Sequence, residues 1–303
     1  MKKLVYRVGC SAGFFSEYNN MLLAYHYCLV NDIEFILDSE KANFASSESG
    51  GGWCDFFEPF CEEYRSKHLH FFNRRQRPKG TRGFFKGLTR WLPFKLYTYK
   101  MGIDYYTYDL FAKIRAQSLD EIYEIPQLGI KGRLLENCRA LHKLVWRYNA
   151  ETQREVDAYT ERIKFDGGYV GFHVRWGDKH IEADLLGVEK YVEAAQRKEP
   201  NTKNYFIFTD DYTAVEQLRA DHPDWHIETL CGESERGYIH SQFTHMDKNF
   251  KRQAQIKLFA SVDIIERADL FVGTYSSNPG MNIGIRMEKD KIVSLDVEKW
   301  CIW

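Results

Sequence analysis

Tyr169-Val170-Gly171-Phe172-His173-Val174-Arg175-Trp176-Gly177-Asp178-Lys179 is a short apolar run that breaks into a charged turn. A run of that length, bounded by a turn and followed by a helix-spaced segment, predicts a buried strand at 169–174 whose end presents polar groups. Working outward, the alternation continues toward the C-terminus as helix 187–197, strand 204–209, helix 212–221, strand 225–229, helix 250–266, strand 269–273, helix 278–287 and strand 291–295. Toward the N-terminus, a strand at 3–8, a Gly-containing turn at 9–16, a helix at 17–31 and a strand at 33–38 form a second unit of Rossmann type. Strands alternating with helices predict parallel sheets covered on both faces, hence the α/β class. The stretch 104–165 reads as mainly helical and polar.

The chain has 303 residues, 44% hydrophobic and 28% charged, which is enough for two ordinary domains with cores of their own. The expected division is an N-terminal α/β domain at 1–160, carrying a basic helical insertion at 64–103, and a C-terminal Rossmann-like domain at 161–303. A formal net charge of -1 argues against a general nucleic-acid binder. Seven cysteines without paired CxxC spacing point to reduced thiols rather than to a zinc site or a disulfide framework. The apolar run after Met1-Lys2-Lys3 is broken by Arg7 and reads as a first strand, not a signal peptide. No stretch approaches the roughly 20 apolar residues of a membrane span. A cytoplasmic protein is the expectation.

Open parallel sheets bind ligands at the carboxyl ends of their strands, so residues just past each strand are the candidates. After 169–174 stand Arg175, Asp178 and Lys179, with Glu182 shortly beyond. A guanidinium fork and an ammonium suit a diphosphate, and a carboxylate suits a general base. The same residues also read as a surface ion-pair cluster. After 269–273 stand Thr274, Tyr275, Ser276 and Ser277, followed by Asn278 and Pro279, a helix start able to receive an anion or merely to be capped. After 204–209 stand Asp210 and Asp211, suited to a guanine edge or to capping the next helix. Gly9 and Gly13 mark the N-terminal turn, which lacks dinucleotide-type spacing. The histidines lack metal-ligand spacing and no DxD pair is present, so no metal is expected.

Residues 64–103 contain eleven Lys or Arg and no Asp or Glu. Arg82, Lys86 and Arg90 fall on one side of a possible helix, and Phe84, Phe85, Leu88, Trp91 and Leu92 on the other. This pattern fits contact with an anionic membrane surface, or a helix packed on its own core.

Taken together these segments resemble the α1,6-fucosyltransferases, the core and nodulation enzymes of the wider GDP-fucose fucosyltransferase group. The likeness is carried by Gly171 to Lys179, by Thr209-Asp210-Asp211, by Ala268-Asp269-Leu270-Phe271-Val272-Gly273-Thr274-Tyr275-Ser276-Ser277, and by Phe35 to Ser39 with Gly51-Gly52-Trp53. It covers roughly residues 7–60 and 168–287. The resemblance implies a GT-B-like pair of Rossmann-like domains and GDP-fucose as donor. It further implies no metal or other cofactor, and inversion at the anomeric carbon. Arg175 would bind the diphosphate with Lys179 and Asp178 beside it, and His173 with Asp210 or Asp211 would face the guanine. Thr274, Tyr275, Ser276, Ser277 and Gly13 would be further donor contacts. Glu182 would be the base, with Asp184 in reserve because the Lys–Glu spacing is one residue shorter than in the animal enzymes. Trp176 stands where the family has a second Arg. The acceptor expected is a glycan, possibly lipid-linked, in bacterial surface-glycan synthesis at the inner membrane face. Rival readings are a transferase of another GDP-sugar, an α1,2-fucosyltransferase, and a non-catalytic nucleotide- or glycan-binding protein.

Overall fold

The computed structural model describes residues 1–10, 12–46, 51–66, 69, 72–75, 84–176, 186–237, 243 and 246–302, with the backbone alone for 84–91. The chain divides into two compact units, Met1–Asn149 and Ala150–Trp303.

In the first unit, strands β1 (Lys2–Arg7), β2 (Ile33–Asp38), β3 (Glu62–Glu63) and β4 (Tyr105–Tyr106) form a parallel sheet in the order β3-β2-β1-β4. Helix α1 (Phe14–Val30) joins the two long strands. It starts three residues before the expected position because Glu17, in its first turn and fully buried, accepts the backbone N–H groups of Gly9 (3.0 Å) and Ala12 (3.2 Å). A carboxylate there also suits the positive end of the helix dipole. The register pairs Lys2 with Ile33 and, at the other end, Arg7 with Asp38, so both charged residues reach the carboxyl edge together.

The rest of this unit is α2 (Phe84–Met101), α3 (Thr107–Arg115), the strands β5 (Ile122–Ile125) and β6 (Ile130–Arg133), and α4 (Leu134–Val145). The stretch 104–165 is mainly helical, as expected, with α3, α4 and a further helix at Ala150–Thr160, but the pair β5–β6 within it is an antiparallel hairpin. Its turn is a short 3₁₀ segment at Pro126–Leu128, closed by Gly129 at φ 65°. The Pro and the left-handed Gly override the helix-compatible composition around them.

Gly52-Trp53 also has a local cause. Gly52 has φ 61°, and a Cβ there would stand 2.1 Å from the Ser39 carbonyl oxygen. The Trp53 amide donates to Ser39 Oγ at 2.8 Å, and its buried ring stacks on Phe57 at 4.3 Å.

The second unit is α5 (Ala150–Thr160), β7 (Val170–Val174), α6 (Val188–Lys198), β8 (Asn204–Thr209), α7 (Thr213–Asp221), β9 (His226–Thr229), α8 (Lys248–Glu266), β10 (Leu270–Gly273), α9 (Asn278–Arg286) and β11 (Ile292–Ser294). Its five strands are all parallel in the order β11-β10-β7-β8-β9. The run quoted at the outset is the central strand, buried at every residue. Val170, Phe172 and Val174 pack with Tyr205, Ile207, Val272 and the buried faces of α6 and α7. Each such side chain contributes about 1.5–3 kcal/mol of burial. Gly171 permits close approach of α8, since a Cβ there would lie 2.4 Å from Ile265 Cδ1. Helix α5 goes with this unit, where Glu155 pairs with Arg252 of α8 at 2.8 Å. The three-strand centre β10-β7-β8 therefore brings the ends of three of the sequence blocks side by side at one edge.

Candidate functional site at the carboxyl edge of the second sheet

Arg175 leaves the end of β7 and pairs with Asp210, which leaves the end of neighbouring β8. The other carboxylate oxygen of Asp210 accepts the Trp176 amide at 3.0 Å. Both oxygens of Asp210 are thus engaged by the turn after β7. The Arg175 side chain is 23% exposed at this edge. The Trp176 indole N–H donates to the Leu186 carbonyl at 2.9 Å, anchoring the far side of the turn. Gly177, Asp178, Lys179, Glu182 and Asp184 lie outside the described residues.

Asp211 accepts the Thr213 amide at 2.9 Å, in the first turn of α7. Its own amide and carbonyl engage the Thr209 hydroxyl at 3.1 and 3.2 Å. Asp210 thus organises an arginine while Asp211 holds a helix start.

His173 is buried near the end of β7, with its ring stacked on Phe208 at 4.4 Å. Its Nδ1 lies 3.3 Å from Ser277 Oγ. Ser277 caps α9: its hydroxyl oxygen accepts the Gly280 amide at 3.1 Å, while its proton goes to the Thr274 carbonyl at 2.9 Å. A hydroxyl has one proton to give, so the His173–Ser277 contact requires His173 Nδ1 to be the donor and assigns the neutral ring the Nδ1–H tautomer. The turn from β10 to α9 is tight here, since a Cβ on Gly280 would meet the Thr274 oxygen at 1.9 Å.

The amides of Tyr275 and Ser276, in the turn before the helix start expected to receive an anion, both donate to Asp296 at 2.9 Å. Asp296 also accepts the Ser294 hydroxyl at 2.9 Å and the Val297 amide at 2.8 Å. Burial pushes this carboxyl up, but the hydrogen bonds from Ser276, Ser294 and Tyr275 outweigh it and hold the group below its ordinary range. Asp296 follows β11, just as the other site residues follow their strands, and that rule alone would have found it.

At the corresponding edge of the first unit, Asp38 ends β2 fully buried, and burial pushes its carboxyl up to about 7 against the opposing pull of Arg7 and Asn73. Asn73 donates to the Val5 carbonyl at 2.9 Å and accepts the Thr107 amide at 2.9 Å. Among the described residues no hydrogen-bond partner reaches Asp38 Oδ1 or the Tyr6 hydroxyl. Gly13 is the N-cap of α1, and among the described residues no atom lies within 4 Å of a Cβ built on it.

Among the described residues no group of three or more His, Cys, Asp or Glu is placed to hold a metal ion. All seven cysteines are free thiols.

Residues 138–279, just under half of the chain and containing the ends of β7, β8 and β10, match the family model for the N- and catalytic domains of α-(1,6)-fucosyltransferases. Over this stretch the chain is similar to the α1,6-fucosyltransferase family. An α-(1,6)-fucosyltransferase of Caenorhabditis elegans is 23% identical over 176 residues, covering 50% of this chain and 30% of that protein. The chain thus matches less than a third of that curated relative's length. The fold is shared with NodZ α-1,6-fucosyltransferase soaked with GDP-fucose, at a TM-score of 0.54 and 12% identity over 97% of this chain and 94% of that one. NodZ from Bradyrhizobium superposes with a TM-score of 0.55 and 14% identity over 97% and 96%. A FUT1 mutant of Arabidopsis thaliana in complex with GDP superposes with a TM-score of 0.54 and 10% identity over 96% and 71%.

Proposed function

We propose that the chain is a fucosyltransferase that moves L-fucose from GDP-fucose to a glycan hydroxyl, with α1,6-type linkage and inversion at the anomeric carbon. The observation that carries this reading is the Arg175–Asp210 pair between the β7 and β8 ends, beside the β10 end with its Ser277-capped helix start. A partly exposed guanidinium whose position is fixed by a neighbouring carboxylate is prepared to grip a diphosphate without first being ordered. The start of α9 adds its dipole to the same edge.

The reaction is a single displacement. The acceptor oxygen attacks C1 of the sugar from the face opposite GDP, and the bond between C1 and the diphosphate oxygen breaks with its electron pair on that oxygen. The acceptor's proton passes to Glu182. Arg175 and Lys179 stabilise the charge that develops on the departing diphosphate, and Asp178 belongs to the same charged block of the sequence. His173, Asp211, Thr274, Tyr275, Ser276 and Ser277 shape the donor site. Asp210 acts through Arg175, which engages it in place of a guanine edge. The chain requires no metal in this scheme. The acceptor is a surface-glycan precursor of bacterial type, reached at an anionic membrane face through the basic segment 64–103.

The test is turnover by purified protein with GDP-fucose, GDP-mannose and UDP-sugars, each with and without EDTA. GDP-fucose turnover that EDTA leaves unchanged is the expected result. Preference for a UDP-sugar, or GDP binding with no turnover of any donor on a panel of glycan acceptors, would overturn the reading.

A further inference from the structure

Helix α2 has two apolar faces. Phe94 is buried, and with it Tyr97 and Met101 pack against the core of the first unit around Val5, Ile36 and Tyr106. Leu92, Leu96 and Tyr99 are 55%, 62% and 90% exposed. Spaced i, i+4 and i+7, they form one continuous stripe on the side away from that core. Lys95 and Lys100, also exposed, flank the stripe on its two sides. No helix of the described residues is long and apolar enough to cross a membrane.

A stripe of this kind wants an apolar partner bordered by negative charge. We infer that the Leu92–Leu96–Tyr99 face of α2 inserts into the interface of an anionic lipid bilayer, with Lys95 and Lys100 on the headgroups. The inference rests on the membrane contact proposed above but not on the sugar chemistry. Two features choose a bilayer over a protein. The surrounding stretch 64–103 holds eleven basic residues and no acidic one in a chain of net charge -1; Arg65 and Arg75 are paired with Glu63 and Glu17, while Lys95 and Lys100 stand exposed beside the stripe, where an anionic leaflet would meet them. A second copy of this chain docking through the same stripe would instead bring lysine against lysine. The tyrosine suits the headgroup level, where its ring is apolar and its hydroxyl wet.

The stripe lies on the face of α2 opposite its packed side, so it can be altered without touching the core. The experiment is co-sedimentation of the full chain with vesicles of phosphatidylcholine alone and of phosphatidylcholine with phosphatidylglycerol. It compares the wild type with Leu92→Ser/Leu96→Ser/Tyr99→Ser and with Lys95→Glu/Lys100→Glu, and checks the melting temperature of each. Binding to the anionic vesicles only, reduced about tenfold or more in both variants with melting unchanged, is the expected result. Anionic-vesicle binding that the triple Ser variant retains would overturn the assignment to this face while leaving the membrane contact intact. A wild type that ignores anionic vesicles would overturn both. A wild-type dimer that the triple Ser variant converts to monomer would replace the bilayer with a second copy. Turnover of a water-soluble acceptor, measured on the same preparations, reports separately on the transferase reading.

Discussion

The two parallel sheets end in charged residues that are handled in opposite ways. At the edge of the first sheet, Arg7, Asp38, Glu17 and Asn73 are all buried, and the Asp38 carboxyl is pushed up to about 7. At the edge of the second, Arg175 and Asp210 are 23% and 13% exposed, and both oxygens of Asp210 are engaged. Burial without full pairing disfavours the ionised form, whereas paired, partly hydrated charge persists. The first edge is therefore tuned toward a neutral carboxyl, and the second, on the reading proposed above, offers its Arg175–Asp210 pair to an anionic ligand.

The comparison breaks most sharply at Arg175. Arg175→Ala removes the only described cation on the β7 turn and its pairing with Asp210. A loss of about a hundredfold or more in kcat/KM for GDP-fucose is expected, since a buried or half-buried charged contact to a diphosphate is commonly worth a few kcal/mol. Arg175→Lys keeps a point charge beside Asp210 but loses the planar fork, so its activity should fall between the two. Equal activity in all three proteins would mean that the second edge is not where the donor's phosphates bind.

The first edge is tested by pH. The folded-state value of Asp38 is raised above its unfolded value, so ionising it costs stability. No cost exists well below the ordinary carboxylate range; it grows as pH rises from about 4 and is complete above about 7. Asp38→Asn carries no such penalty. Urea denaturation should show the variant gaining on the wild type across that range, by on the order of 4 kcal/mol in all. A constant difference between the two proteins would mean that Asp38 is ionised in the folded chain throughout.

Asp296 sharpens the contrast from within the second edge. Asp296→Asn retains an accepting oxygen but loses the second one and the charge, so the Tyr275 and Ser276 amides can no longer both be held as they are. The turn before Ser277 then loosens. A rise of about tenfold in KM for the donor with kcat little changed is expected. A drop in melting temperature with KM unaltered would show Asp296 to be a staple between β10 and β11 and nothing more.

What the sequence revealed depended on how local the cause was. The strands at 33–38 and 204–209 are legible to the residue because their apolar runs end abruptly in Asp38 and in Asp210. The start of α1 was misplaced because it is set by Glu17 reaching back to Gly9 and Ala12, a contact that spacing does not display. The β5–β6 hairpin was hidden because four-residue strands give too few alternations to outweigh a helix-compatible composition. At the site, the residue types after each strand were readable, but their partners were not. Asp210 is an arginine holder and Asp211 a helix cap, a division that depends on side-chain direction at two adjacent positions of the same chemistry. Asp296 and Asp38 obey the same strand-end rule as the others, but their significance comes from partners 20 or more residues away.

The smallest expected effect concerns Gly13. Its place in the N-terminal turn makes it a donor-contact candidate by position, yet its backbone lies at φ -63° and ψ 157°, a region open to every residue. A Cβ built there meets no atom of the described residues within 4 Å. Its neighbour in the turn is different: Gly9 has φ 75°, and a Cβ would stand 2.4 Å from that of Ala42. Gly9→Ala should therefore destabilise the first unit by roughly 1–3 kcal/mol, while Gly13→Ala should change stability by less than about 0.5 kcal/mol. With the fold intact, the donor KM of Gly13→Ala becomes a clean reading. An unchanged KM confines the donor's contacts to the second edge. A severalfold rise would show that a ligand approaches the Gly13 backbone closely enough to exclude a methyl group.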